Sequence, residues 1–322
     1  MATIPKSAVD LCPTELSAMI ENLRPLDFIG IGAAKAGTTS LFMYLRAHPE
    51  VWLPPAKEIP YFSDDSVRKV GWQAYFERHF TAAPPDSLIG TVTPQYMADP
   101  RVPQRVAESF PRIKIIALLR DPADRAYSDW RMRARTGTET RIFEQAVAAQ
   151  LTFASLERAR QGTSGNGCSA QDLYIARSEY GRILESWYRH FDRQQICVQF
   201  SEELQQHTVD VMDRVTEFLE LSGRLPAFKL ITRYHKGGDR ERFPGLLQKM
   251  ANNRSARQLW RLFPFERRLE CLRWFNWNVR FQRDRRTLGG ATRKRLIEFF
   301  RRDVDRLEQI LERTVPWEGY HD

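Results

Sequence analysis

The sequence predicts an α/β fold: a parallel sheet of about five strands flanked by helices. Five short apolar runs are spread over the first 200 residues, and helical stretches separate them. The first run stops at glycines, passes through a polar loop and enters an apolar helix. Strands that alternate with helices pair in parallel, because each crossover lays a helix on a sheet face.

The first strand is read at Asp27 to Gly32 (DFIGIG), where β-branched and aromatic residues give way to glycine. Its helix begins near Thr38, carries Leu41, Phe42 and Leu45 on one side, and ends before His48-Pro49, since the residue before proline avoids helical geometry. Further strands are read at Val51 to Leu53, Leu88 to Val92, Ile113 to Leu119 and Ile196 to Phe200. Between Gln161 and Ala170 the run QGTSGNGCSA holds three glycines and no periodicity, which predicts a mobile loop covering the site. Tyr180 and Trp187 lie seven apart in RSEYGRILESW and share a helix face, with Trp187 expected in the core. From Arg293 to Arg313, apolar residues at Leu296, Phe299, Phe300, Val304, Leu307, Ile310 and Leu311 predict an amphipathic helix against the core. No repeat and no linker appears, so residues 27–322 are expected to form one domain with a basic helical C-terminal part, preceded by an extension over residues 1–26.

Composition narrows the function classes. Hydrophobic residues make up 42% and charged residues 28%, enough for a sizeable core and against wholesale disorder. Cys12, Cys168, Cys197 and Cys271 are scattered, without a CxxC pair or a histidine at ligand spacing, so no metal site is expected. The first residues lack a basic start followed by an apolar run, and no stretch of about 20 apolar residues occurs. A cytoplasmic protein without a transmembrane segment is therefore expected. The formal charge is +9, and residues 241–322 hold 19 Lys/Arg against 11 Asp/Glu. That field either steers anionic ligands or is a solvated helical face.

Two segments carry chemistry. In GIGAAKAGTTS, the glycines Gly30, Gly32 and Gly37 follow a strand and open a helix, whose unpaired N–H groups attract phosphate. A Rossmann pattern fails because Lys35 stands at its third glycine, and a Walker A pattern fails because Thr38 replaces its lysine. Lys35 within the loop, followed by Thr38, Thr39 and Ser40, suits charge developing on a leaving oxygen. The alternative is a structural turn capped by threonine. In IKIIALLRDPADRAYSDW, a strand ends at Arg120, Asp121 caps the next helix and Pro122 suits its first turn. Ligands of open parallel sheets bind at strand C-termini, so Arg120 and Ser128 read as a phosphate clamp. A Walker B strand would end in a carboxylate for Mg²⁺, and here arginine follows instead. The alternative is local pairing of Arg120 with Asp121 or Asp124.

Together, GAAKAGTTS and RDPADRAYS resemble the 5′-phosphosulfate loop and 3′-phosphate motif of sulfotransferases that use 3′-phosphoadenylyl sulfate, closest to the heparan-sulfate-type and bacterial branch. Lys57-Glu58 in AKEIPYF and the segment HKGGDR, His235 to Arg240, add to the resemblance, which runs from about Asp27 to the C-terminus. It implies a P-loop-like three-layer fold, the donor as co-substrate and no metal. Residue by residue, it implies that Lys35, Gly37, Thr38, Thr39 and Ser40 hold the 5′-phosphosulfate, with Lys35 stabilising the leaving oxygen. Arg120 and Ser128 would grip the 3′-phosphate, while Lys236, Gly237 and Gly238 would close over the donor. Gly238 stands where the family usually has a basic residue, for which Arg240 would compensate. Glu58 would be the general base, in a partly buried setting; the alternative is a surface ion pair with Lys57.

Animal heparan-sulfate enzymes have a Glu-Lys pair before Ser-Pro, whereas this chain reads Thr91, Val92, Thr93 and Pro94. The missing lysine points away from acidic glycosaminoglycans, toward a hydroxyl or amine of a small natural product or a less charged saccharide. Lys57, Gln95, Tyr96 and Tyr180 are candidates for the acceptor side, and no nucleic-acid partner is expected. Two other classes remain to compare. A P-loop kinase or NTPase is motivated by the glycine loop, and a polyanion-binding or membrane-surface module by the basic aromatic stretch from Trp260 to Phe281.

Overall fold

The computed structural model describes residues 24–162, 172–223 and 288–321. Within them, β1 (Phe28–Gly32), β2 (Val51–Trp52), β3 (Leu88–Val92), β4 (Lys114–Leu119) and β5 (Ile196–Phe200) form one sheet in the order β2-β3-β1-β4-β5. Every pairing is parallel, with Phe28 opposite both Gly90 and Lys114, and Ile115 opposite Ile196. All of β1 and nearly all of β4 is buried, which explains their continuous apolar runs: a central strand covered on both faces has no solvent side. β2 is shorter than the expected Val51 to Leu53, because Pro54 and Pro55 follow and cannot donate to a ladder.

Helices flank the sheet. α1 (Thr38–Arg46) follows β1, α2 (Asp65–Arg68) and α3 (Trp72–His79) lie between β2 and β3, and α4 (Val102–Ser109) connects β3 to β4. α5 (Pro122–Thr136) follows β4, capped by Asp121, whose carboxylate accepts from the Asp124 N–H at 2.8 Å. α6 (Phe143–Gln150), α7 (Phe153–Arg160) and α8 (Tyr180–Tyr188) precede β5, and α9 (Ser201–Gln206) and α10 (Thr208–Phe218) follow it. The crossovers from β1 run toward β2 and β3, while β4 lies on the other side of β1. The chain therefore reverses its winding beside β1, and the crevice at the C-terminal ends of β1 and β4 is where ligands of such sheets bind.

The last helix, α11 (Gly290–Leu311), starts three residues before the expected Arg293 and ends two before Arg313. It buries Leu296, Phe300, Val304 and Leu307, spaced for one helical face and each stabilising by about 1.5–3 kcal/mol when fully enclosed. Its contact with α8 is close. A Cβ added to Gly181 would sit 2.3 Å from the Asp303 carbonyl oxygen, so only glycine fits there. α8 has no cap of its own, and the Asp303 carboxylate supplies one, accepting from the Gly181 and Arg182 N–H groups at 2.9 Å each. Lys236, Gly237, Gly238 and Arg240, the loop at 163–170 and the Trp260 to Phe281 stretch lie outside the described residues.

Candidate active site

The turn from Ala33 to Gly37 leaves the C-terminal end of β1, where the Ala33 N–H donates to the Leu118 carbonyl of β4 at 2.7 Å. Lys35 has φ 74° and Gly37 φ 97°, both in the left-handed region that favours glycine. A lysine held there is strained, as residues at ligand sites often are. The turn delivers Gly37 as the residue before α1, without any side-chain cap. The N–H groups of Gly37, Thr38 and Thr39 consequently find no backbone carbonyl among the described residues, and the Thr38 and Thr39 hydroxyls find no partner there either. Ser40 is buried behind them. Three amides and two hydroxyls at a helix N-terminus form a cradle of donors for an oxyanion.

The Lys35 side chain leaves the same turn toward α5. Its ammonium donates to the Met132 sulfur at 3.5 Å and makes no ion pair with a carboxylate among the described residues. Burial lowers its pKa, an effect that the charges of Asp129 and Glu58 oppose. Asp129 is itself held beneath by Arg125 at 3.4 Å and Arg133 at 3.3 Å. An enclosed cation without a contact anion is poised for an anionic ligand.

Arg120, directly after β4, donates to the Lys35 carbonyl at 3.2 Å and so ties the second motif to the first. The two acids beside it are occupied elsewhere. Arg293 of α11 pairs with Asp124 at 2.6 Å and with Asp121 at 3.0 Å, leaving Arg120 without a carboxylate partner among the described residues. Local pairing of Arg120 with Asp121 or Asp124 is thus not what the fold builds. Ser128, half-buried on α5, likewise has a hydroxyl without a partner among the described residues.

Glu58 occupies the other wall, with φ 66°. Its neighbour Ile59 fixes it: the Ile59 carbonyl accepts from the hydroxyls of Tyr96 at 2.8 Å, Tyr75 at 3.3 Å and Thr93 at 3.3 Å. The Glu58 carboxylate receives Lys57 Nζ at 2.6 Å and Gln95 Nε2 at 3.0 Å. Burial would raise its pKa, but the Lys57 pair, the Gln95 bond and the more distant Lys35 outweigh it and hold the group below the usual carboxylate range. The expected burial-strengthened base is therefore a stabilised carboxylate instead, while its side chain remains 41% exposed.

A model of the sulfotransferase domain family matches residues 25–235. The chain belongs to that family. Similarity extends to a membrane-associated sulfotransferase of Dictyostelium discoideum, 36% identical over 104 residues, which are 32% of this chain and 22% of that one. It extends also to bifunctional heparan sulfate N-deacetylase/N-sulfotransferase 4 of Mus musculus, 28% identical over 198 residues, 60% of this chain and 22% of that one. The chain thus spans about a fifth of the length of these two curated relatives. The crystal structure of a sulfotransferase from Alicyclobacillus acidocaldarius superposes with a TM-score of 0.61 at 24% identity, covering 91% of this chain and 98% of that one, and shares the fold. Among the described residues of this family member, no helix is long and apolar enough to cross a membrane.

The sheet edge brings Lys35, Gly37, Thr38, Thr39, Arg120, Glu58, Lys57 and Gln95 together. Tyr96 and Tyr180 are not open to a ligand. Tyr96 is fully buried with its hydroxyl committed to Ile59, so it positions the Glu58 loop from below. Tyr180 is enclosed against Trp317 at 5.8 Å, as a core ring. Trp187 is fully buried and donates to the Met97 carbonyl at 3.0 Å, as its packing role requires. Sequence reasoning passed over Asp129 and Met132, although RDPADRAYSDWRM places both on the turns after Ser128. It also passed over Arg293, 173 positions after Arg120 in the chain, for which no local signal exists.

Proposed function

We propose that this protein transfers the sulfonate group of 3′-phosphoadenylyl sulfate to a hydroxyl or amine of a small-molecule natural product or a saccharide. The observation that carries the reading is the pairing of two cations, Lys35 and Arg120, at the C-terminal end of one sheet, without contact carboxylates among the described residues and each beside hydroxyl or amide donors that find no partner there. The donor has two anionic ends that need two such sites. Lys35, the Gly37, Thr38 and Thr39 amides and the threonine hydroxyls receive the phosphosulfate end; Arg120 and Ser128 receive the 3′-phosphate. Lys236, Gly237, Gly238 and Arg240 belong to the same proposal on the sequence motif alone, as do a cytoplasmic location and a bacterial source.

The chemistry asks for alignment and charge compensation more than for covalent help. An acceptor oxygen or nitrogen bonds to sulfur on the side opposite the bridging oxygen, the sulfur–oxygen bond to phosphate breaks, and the leaving phosphate gains charge. Lys35, short of a contact anion, compensates that charge. Glu58 accepts the acceptor's proton. Its lowered pKa keeps it deprotonated at neutral pH, so it is ready as a base in every turnover, at the expense of intrinsic basicity. Lys57 and Gln95 set the direction of its two oxygens.

A kinase or NTPase reading lacks a carboxylate after β4, where Arg120 stands. Adenosine 3′,5′-bisphosphate at about a hundred times its Kd is expected to stabilise the chain by about 2.7 kcal/mol. Absence of any thermal shift, with no labelled sulfate reaching any acceptor in a broad panel, removes the proposal.

A further inference from the structure

A cavity adjoins the proposed site through Gln95. Gln95, whose amide holds Glu58, also lines a pocket of about 460 Å³ together with Asp64, Asp65, Asp99, Arg177 and Arg182. That volume suits a small molecule of drug-like size. Its charged walls are already paired, with one exception. Asp64 accepts from the Ser66 and Val67 N–H groups, Asp65 pairs with Arg101 at 3.0 Å and Arg105 at 2.8 Å, and both Asp99 oxygens take Arg101. Arg182 is bound to Glu179 at 3.2 Å and to the Ala176 carbonyl at 3.0 Å. Arg177 alone has no hydrogen bond or ion pair from its guanidinium among the described residues.

Burial pushes the Arg177 guanidinium down to about 10, with Asp129 and Asp99 acting against that shift and Arg125 and Arg133 adding to it. It stays a cation at neutral pH, half-buried at the pocket wall and without a hydrogen-bond or ion-pair partner for its guanidinium among the described residues. A half-buried cation facing a pocket favours an anionic ligand there, and a planar guanidinium matches a carboxylate through two parallel hydrogen bonds. Asp64, whose donors are the amides of Ser66 and Val67 and the Ser66 hydroxyl, leaves a negative charge in the wall that disfavours a dianion such as phosphate.

Resting on the sulfotransferase reading, we propose that this pocket is the acceptor subsite and that Arg177 anchors a carboxylate of the acceptor. The acceptor is then a hydroxylated or amino-bearing monocarboxylic acid, held by its acid group at Arg177 while its nucleophilic group faces Glu58 past Gln95. This deepens the acceptor side: Arg177, the one unpaired cation among the described pocket residues, admits one acidic group, where a run of acidic groups would meet Asp64.

The test uses the full chain and matched probes that differ in one charge: 4-hydroxyphenylacetate against 4-hydroxyphenylacetamide, and quinate against its methyl ester. Ligand-observed NMR titrations are run with and without adenosine 3′,5′-bisphosphate. At least one carboxylate is expected to bind the wild type tenfold or more tightly than its neutral partner. Arg177→Gln is expected to remove that preference and Arg177→Lys to keep part of it, with unchanged affinity for the bisphosphate in both. If the glutamine variant does not fold, the lysine variant carries the comparison, because it keeps the charge and loses the two-pronged geometry. Equal binding of both members in every pair, or a preference that survives Arg177→Gln intact, overturns the proposal. Failure of the wild type to bind the bisphosphate strikes the donor reading instead, and the carboxylate comparison without nucleotide is read independently of it.

Discussion

Arg293→Ala is expected to weaken donor binding from a position on the C-terminal helix. In the wild type its guanidinium bridges Asp124 at 2.6 Å and Asp121 at 3.0 Å, where Asp121 is 6% and Asp124 40% exposed. Removing it has two consequences. The exposed Asp124 pair contributes about 0.2–1 kcal/mol to stability. The enclosed Asp121 keeps the Asp124 N–H at 2.8 Å and the Tyr320 hydroxyl at 3.4 Å, so its loss falls below the roughly 3–5 kcal/mol of a fully orphaned buried charge. The second consequence is electrostatic. For a phosphate bound one physiological Debye length away, about 8 Å, an uncompensated carboxylate opposes binding by about 2 kcal/mol at an effective dielectric of about 20, a factor of roughly 30 in Kd. Isothermal titration with adenosine 3′,5′-bisphosphate at low and high salt measures it. Affinity is expected to fall by roughly 10–30-fold at low salt, less at high salt where screening shortens the reach of Asp124, and Asp124→Asn in the same chain is expected to restore part. A folded Arg293→Ala variant that binds the bisphosphate within twofold of wild type at low salt refutes the reasoning.

Three further outcomes follow from the geometry. Glu58→Gln keeps the contact to Lys57 in shape but removes the base, so turnover is expected to drop by about 10²-fold with bisphosphate affinity nearly unchanged, read by steady-state sulfate transfer and titration. Gly181→Ala forces a methyl against the Asp303 carbonyl at 2.3 Å and is expected to lower stability by about 1–3 kcal/mol in chemical denaturation, whereas Gly137→Ala, with no atom near its Cβ position, is expected to suffer only from its φ of 74°. Burial raises Asp303 to about 6 despite two N–H donors, so the folded chain holds that proton more tightly than the unfolded chain. Its contribution is greatest below about pH 4 and is lost as pH rises through about 6; a Tm-against-pH slope in that window that Asp303→Ala leaves unchanged contradicts the assignment.

Much of the frame was legible because its signals are local. The runs at Leu88 to Val92 and Ile196 to Phe200 coincide with β3 and β5, since buried parallel strands read as unbroken apolar stretches. GAAKAGTTS and RDPADRAYS were legible for the same reason: each is a contiguous strand-loop-helix unit. What escaped was non-local. No pattern in the sequence links Arg293 to Asp121 and Asp124, or the Ile59 carbonyl to the hydroxyls of Tyr75, Thr93 and Tyr96, because those contacts depend on how distant elements dock. Tyr96 was misread for this reason, its polar atom pointing inward to a backbone partner instead of outward to a ligand. Against burial, the lowered pKa of Glu58 comes first from Lys57, the residue before it in the chain, and only then from Gln95, 37 residues away, whose return to the carboxylate no local pattern announces. Arg177, in RSEYGRILESW, gave no local signal, because an arginine's lack of a partner depends on which distant walls surround it.

The most direct test of the central claim is transfer of labelled sulfate from 3′-phosphoadenylyl sulfate by the wild-type chain, beside Lys35→Ala and Arg120→Ala. The expected result is transfer to at least one hydroxylated or amino-bearing acceptor by the wild type, with both variants impaired by about 10²-fold or more in kcat/KM and in bisphosphate binding. Transfer that persists unchanged in both variants, or a wild type that neither binds the bisphosphate nor transfers sulfate, contradicts the assignment of Lys35 and Arg120 to the two ends of the donor.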